Sequence, residues 1–174
     1  MLERHRNSKR LIRNYQMSDL SFDIKTSEDF FKILLDDHNE FYANRTSSRH
    51  ALHCAIIAWH MTEWVNKEFE PQLSEDLFKK KMVQQCPSLE IMRNLANGTK
   101  HNKRSSESQT IKGTELHLGV FSKEFSRKFE TSHLKIELRD GRNIYFEDEI
   151  QKVISFWTEY LHSTPNITTT PQST

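Results

Sequence analysis

The sequence predicts a mainly α protein, a helical bundle of about five helices with a small antiparallel β-hairpin insertion before the C-terminal helix. Two observations carry this. Apolar residues recur every three or four positions in four segments between Ser27 and Gly98 and again from Phe146 to His162, the period of a helix buried along one face. Between Thr114 and Phe146 the period falls to two, and the dipeptide Asp140-Gly141 marks a tight hairpin. With only 4 glycines and no glycine-rich phosphate loop, a nucleotide-binding α/β fold is not expected.

Each element can be justified in order. Residues 1–25, opening with MLERHRNSKRLIRNYQ, read as a basic N-terminal arm. They lack the apolar core of a signal peptide, and no stretch approaches the roughly 18 apolar residues of a membrane span. A soluble, cytoplasmic protein with no membrane contact is expected. At the start of the first helix Ser27 reads as the N-cap, with Glu28 and Asp29 at the positive end of the helix. Phe30, Phe31, Leu34, Leu35, Phe41 and Tyr42 then supply the apolar stripe as far as Asn44. Thr46, Ser47 or Ser48 can cap the second helix. Its stripe of Ala51, Cys54, Ala55, Ala58, Met61 and Val65 is widened by Leu52, Ile56, Ile57 and Trp59, which predicts a central, closely packed helix.

Ser74-Glu75-Asp76 starts a third helix carrying Leu77, Phe78, Met82 and Val83. Pro87 suits the first position of a fourth, which carries Leu89, Met92, Leu95 and Ala96 and for which Gly98 is the expected left-handed C-terminal cap. A polar loop is expected from Asn102 to Gly113, and TELHLGVF, HLKIELRD and RNIYF read as strands. The domain therefore spans 26–162, with the β insertion at about 114–146. The tail 163–174 has little to bury and is expected to be disordered.

Composition bounds the function. The 174 residues suffice for one domain, and a net charge of +1 shows no global excess that would mark the chain as a nucleic-acid binder, so any such site is local. The two cysteines, Cys54 and Cys86, form no paired motif and read as buried free thiols in a reducing compartment. His50, His53, Cys54 and His60 fall on two faces of one helix without an HExxH pattern, so neither a metal nor another cofactor is expected. Trp59, Trp64 and Trp157 read as core or interface aromatics.

The strongest chemical constellation lies in IMRNLANGTKHN. Arg93, Asn94 and Asn97 share one helical turn, and a reversal at Gly98 would return Lys100 and His101 beside them. Arginine and lysine can hold a phosphate, asparagine can orient it, and histidine can pass a proton near neutrality, so the set suits RNA cleavage without a metal. Lys103 and Arg104, extended by Lys112, add a basic patch for phosphate contacts. The same residues also read as an ordinary helix end, with Lys100 and His101 complementing its negative pole. A secondary pair is Arg45 with His50, the arginine just outside the second helix and the histidine in its first turn.

The pairing of ALHCAIIAWHMTEWV with CPSLEIMRNLANGTKHN resembles a set of uncharacterised bacterial helical proteins and, more distantly, is similar to the HEPN superfamily. The resemblance implies a helical bundle, commonly a homodimer, with metal-independent endoribonuclease activity in toxin–antitoxin, phage-defence and related conflict systems. It also implies an active site formed across the dimer. The family signature joins an arginine and a polar residue to a histidine after four to six intervening residues. Arg93-Asn94 matches the opening and His101 the close, although here seven residues intervene; Arg45 and His50 keep the spacing but carry Thr46 at the polar position. Many members of the superfamily are not enzymes, which leaves as the alternative a non-catalytic helical module that binds a protein partner such as an antitoxin.

Overall fold

The computed structural model describes residues 22–100, 110–119 and 131–163. Its elements are α1 (Ser27–Ala43), α2 (Ser48–Phe69), α3 (Glu75–Gln85), α4 (Ser88–Lys100), β1 (Ile111–His117), β2 (His133–Leu138), β3 (Asn143–Tyr145) and α5 (Phe146–Ser163). The mainly α class and the antiparallel insertion before the last helix are as the sequence predicts.

α2 occupies the centre and packs against α1, α3, α4 and α5. The reason is in its side chains: Ala51, Cys54, Ala55 and Ala58 are buried and small, so neighbouring helices approach closely, while Met61 and Val65 fill the far end. Around this seam Leu34, Phe41, Phe78, Met82, Leu89, Met92, Ile150 and Trp157 are fully buried. Each such side chain contributes roughly 1.5–3 kcal/mol of transfer free energy. The Trp157 indole N–H reaches the Ala58 carbonyl at 3.3 Å, so its one polar atom is satisfied inside the core.

Polar side-chain ties register the helices. Thr26, rather than Ser27, caps α1: its hydroxyl accepts from the Asp29 N–H, and the Asp29 carboxylate returns a bond to the Thr26 backbone. Ser27 is drawn instead to Glu68 of α2, which accepts from its backbone N–H at 2.6 Å and from its hydroxyl. Ser47 is the cap of α2. Ser88 at the start of α4 donates to the buried Glu149 of α5 at 2.6 Å. Tyr160 of α5 and Lys81 of α3 both donate to Glu70, which ends α2, at 2.8 and 2.6 Å.

The sheet has order β1-β2-β3 and is antiparallel throughout. β1 pairs with β2 from Ile111↔Leu138 to His117↔His133, with a bulge between Ile111 and Gly113, and β2 pairs with β3 through Ile136↔Ile144. Gly141 makes the predicted hairpin turn with φ 86°, where a side chain would be strained. Leu134, Ile136, Leu138 and Ile144 share the face that packs into the bundle, and β2 and β3 lie against α5. Glu115, His117, His133, Lys135 and Tyr145 share the opposite, polar face.

Three expectations are corrected. β1 starts at Ile111, inside the stretch read as a polar loop, because Ile111 packs on the core and pairs with Leu138. Leu77 and Tyr42 do not join the core; each is 55% exposed, and Phe78 and Phe41 fill the corresponding space. Gly98 does not cap α4 in a left-handed conformation. It lies inside the helix, which runs on to Lys100. The arm at 1–25 falls outside the described residues up to position 21, as does the tail from 164, while Ser163 closes α5.

Candidate functional site

α4 presents the primary candidate residues on a continuous helix. Arg93, Asn97 and Lys100 are separated by four and three residues, so their backbone positions lie on one face. The helical rise spreads them over about 10 Å along the axis. The expected reversal at Gly98 is absent, so the local return of Lys100 beside Arg93 does not occur. His101, Lys103 and Arg104 lie outside the described residues.

Arg93 is already oriented by its neighbours. Its guanidinium donates to Glu90, one turn earlier, and lies 5.9 Å from the centroid of Trp59 on α2. Asn94 is tied to the same turn, its amide donating to the Glu90 carbonyl at 2.7 Å and to the Glu90 carboxylate at 2.9 Å. Glu90 thus fixes both residues, and part of Asn94's hydrogen-bonding capacity is spent within its own helix. Arg93 remains 42% exposed at its side chain and keeps donors beyond the one given to Glu90.

The indole of Trp59 organises a wider polar cluster. Lys79 of α3 places its ammonium 5.4 Å from the ring centroid and donates to Glu63 at 2.7 Å. His60 lies 3.4 Å from the same carboxylate. Hydrogen bonding to His60 first, and to Lys79 next, holds the Glu63 carboxyl down to about 2, against the upward push of its partial burial. The cluster therefore joins α2, α3 and α4 in one charged patch: Arg93 and Lys79 near the tryptophan, Glu63 and Glu90 balancing them. Trp59, His60 and Glu63 are close neighbours along α2. Glu90 was missed, although its spacing of three and four residues before Arg93 and Asn94 is a readable signal. Lys79 arrives from another helix and left none.

The secondary pair is drawn toward different helices. Arg45 forms an ion pair with Glu147 of α5 at 2.8 Å and stacks 4.0 Å above Tyr42, while His50 faces Glu40 of α1 at 3.3 Å and Arg49 at 2.6 Å. Each side chain has its own carboxylate, Glu147 on α5 and Glu40 on α1. His50 Nδ1 is buried without a partner. Nearby, burial raises the Asp37 carboxyl, with His53 3.9 Å away, and pushes the Cys54 thiol up to about 12. Among the described residues no group of three or more His, Cys, Asp and Glu side chains is gathered to hold a metal ion. Lys112, expected to extend the basic patch, pairs with Glu137 across the sheet.

On the polar sheet face, His117 stacks on His133 with centroids 4.7 Å apart, and the edge of Tyr145 meets His133 at 4.5 Å. Glu115 pairs with Lys135. The opposite side of the sheet, with α2 and α4, encloses a cleft of about 160 Å³ lined by Ala51, Leu52, Leu95, Leu116, Leu134 and Ile136.

No family model, curated protein or solved structure matches the chain. No helix among the described residues is long and apolar enough to cross a membrane.

Proposed function

We propose that the chain is a HEPN-like RNA-acting protein of a bacterial or phage conflict system, working in the cytoplasm as a homodimeric, metal-independent endoribonuclease. The observation that supports this reading best is the α4 face. Arg93, Asn97 and Lys100 follow one another along a continuous helix, and Arg93 is steadied by Glu90 and Trp59 while its side chain stays exposed. A guanidinium held in this way loses little entropy on meeting a phosphate. A row of phosphate ligands spread over about 10 Å suits an extended backbone rather than a compact anion.

In this reading Arg93 and Lys100 hold successive phosphates of the strand around the scissile bond, with Lys103 and Arg104 on the flank. Asn97 orients the strand and His101 passes the proton. Asn94 acts through Glu90, keeping the arginine in place. His101 follows a helix that does not reverse at Gly98, so its counterpart across the catalytic centre comes from the second protomer, as the superfamily resemblance implies.

Incubation of purified, chelator-treated protein with RNA tests the reading. Cleavage in EDTA that is lost on Arg93→Ala and on His101→Ala, with helical content unchanged, is the expected result. Unchanged cleavage in both variants refutes the site.

A second reading draws on one specific observation. Glu90 neutralises Arg93 locally, and the arginine is displaced by at least about 10 Å along the helix from the start of the His101 segment. Both suit a non-catalytic helical module that binds a protein partner such as an antitoxin. Protein that cleaves no RNA and co-purifies with one partner would establish it.

A further inference from the structure

The sheet has an open edge. β1 is the terminal strand of the order β1-β2-β3, so among the described residues no strand pairs with the backbone N–H and C=O groups along its outer side. Proteins usually blunt such an edge with charge. Here it carries Leu116, 46% exposed, and just beyond the strand Leu118, 74% exposed. The other large exposed apolar side chains among the described residues, Phe22, Tyr42 and Leu77, belong to other segments of the chain.

The face beside this edge holds a vacancy of matching chemistry. Thr114 and Leu116 pair with Ile136 and Leu134, so they face the bundle, and both line the cleft of about 160 Å³ between the sheet, α2 and α4. An apolar cavity of about 150 Å³ admits a benzene ring, so this cleft admits a leucine side chain. An extended continuation of β1 sets Leu118 on the same face as Leu116.

Self-pairing of β1 satisfies both features in one register. An added antiparallel strand must match faces, or its apolar side chains turn to solvent, so two copies of β1 must pair about a residue rather than between residues. Centring on Thr114 runs into the bulge between Ile111 and Gly113. Centring on Glu115 opposes two carboxylates, and centring on His117 opposes two imidazoles. Centring on Leu116 sets Leu116 against its own counterpart, Glu115 against the partner's His117, and Thr114 against the partner's Leu118. Unlike groups then meet on the polar face, and a leucine lies over the cleft on the other.

We propose that β1 is the contact between two copies of this chain, joined antiparallel about a two-fold axis at Leu116, with Leu118 of each copy seated in the cleft of the other. The contact is isologous, each copy giving and receiving the same side chain, and it closes the open edge within a six-stranded sheet. A two-fold axis normal to the sheet keeps both bundles on one side, and Leu95 of α4 lines the cleft, so the two α4 helices approach the same joint. The interface rests on β1 and the cleft; it gives a geometry to the homodimer of the RNA reading without depending on cleavage. A ladder of about five residues with two leucines is small beside the roughly 800 Å² per partner of a standard interface, so dimer and monomer exchange in the micromolar range.

Sedimentation equilibrium of the full chain across micromolar concentrations tests the association. The parent is expected to dimerise reversibly, Leu118→Asp to weaken the dimer at least tenfold, and Leu77→Asp, at an exposed position on α3, to associate as the parent does. Mild oxidation reads the register: Leu116→Cys is expected to cross-link to its counterpart, whereas Thr114→Cys, about 14 Å from its own, is not. Cys54 and Cys86 are buried and do not compete. A parent that stays monomeric, a dimer indifferent to Leu118→Asp, or cross-linking of Thr114→Cys as readily as of Leu116→Cys overturns the proposal. Cleavage in EDTA that persists when the association fails these tests would leave the RNA reading standing, with its two protomers joined by another face.

Discussion

Replacing Gly98 by alanine separates two local structures by the sign of one measurement. In the structure Gly98 is an exposed helical residue, and a Cβ built on it meets nothing within 4 Å. Alanine there removes unfolded-state freedom and adds no clash, which is worth about 0.5–1 kcal/mol of stability in a helix interior and somewhat less this close to its end. Were Gly98 the left-handed cap that its neighbours suggest in sequence, alanine would instead cost about 1–2 kcal/mol. For a chain of this length 1 kcal/mol moves the thermal midpoint by about 2–4 °C. Gly98→Ala is therefore expected to raise it by about 1–4 °C. Urea unfolding followed by far-UV circular dichroism gives the independent value, with the midpoint rising and the slope unchanged. A lower midpoint in both experiments would show that α4 turns at Gly98, and would restore the possibility that His101 returns to Arg93 within one chain.

Other outcomes follow from the buried polar ties. Ser88→Ala removes the donor to Glu149 Oε2 on a buried carboxylate, and a loss of about 1–3 kcal/mol is expected; a shift within experimental error in the urea midpoint would contradict it. Glu63 has a folded-state pKa of about 2 against an ordinary 4.5, so its contribution is present above pH 4.5 and is lost as pH falls toward 2. The stability gap between the parent and Glu63→Gln, about 1 kcal/mol after solvent screening, should close across that window, and a gap that widens on acidification would refute the ion-pair assignment. Cys54 is fully buried with its thiol pushed up to about 12, and Cys86 is buried and shifted in the same direction. Both should resist a thiol reagent near neutrality until denaturant is added; labelling of the native chain at the rate of a free thiol would show that the α2 seam opens.

Much of the fold is legible because it rests on local periodicity. The stripe Ala51, Cys54, Ala55, Ala58 marks α2 as central since small residues at that spacing admit close neighbours, and α2 does contact four other helices. Asp140-Gly141 specifies the hairpin because glycine alone reaches positive φ there without strain. The errors have a common origin. Ser27 is a good cap in isolation, but Glu68 takes its hydroxyl; Leu77 fits the stripe of α3, but Phe78 reaches the core instead. In both cases packing between helices, rather than the local rule, chose the residue's surroundings.

The candidate site divides along the same line. Arg93 and Asn97 were visible in sequence because a helix brings residues three and four apart onto one face whatever surrounds it, whereas Lys100, expected to fold back after Gly98, continues the same helix. The sequence alone could therefore determine the helix class, the central α2, the β insertion and the shared turn of Arg93 and Asn97. Only tertiary structure could decide that the helix passes through Gly98, that Lys79 and Arg93 converge on Trp59, that Arg45 and His50 part toward α5 and α1, and that His117 meets His133. Local periodicity sets which face a residue occupies. What it meets there is set by helix packing and strand register, which depend on contacts far apart in the chain and on the competition among charged groups for the nearest opposite charge.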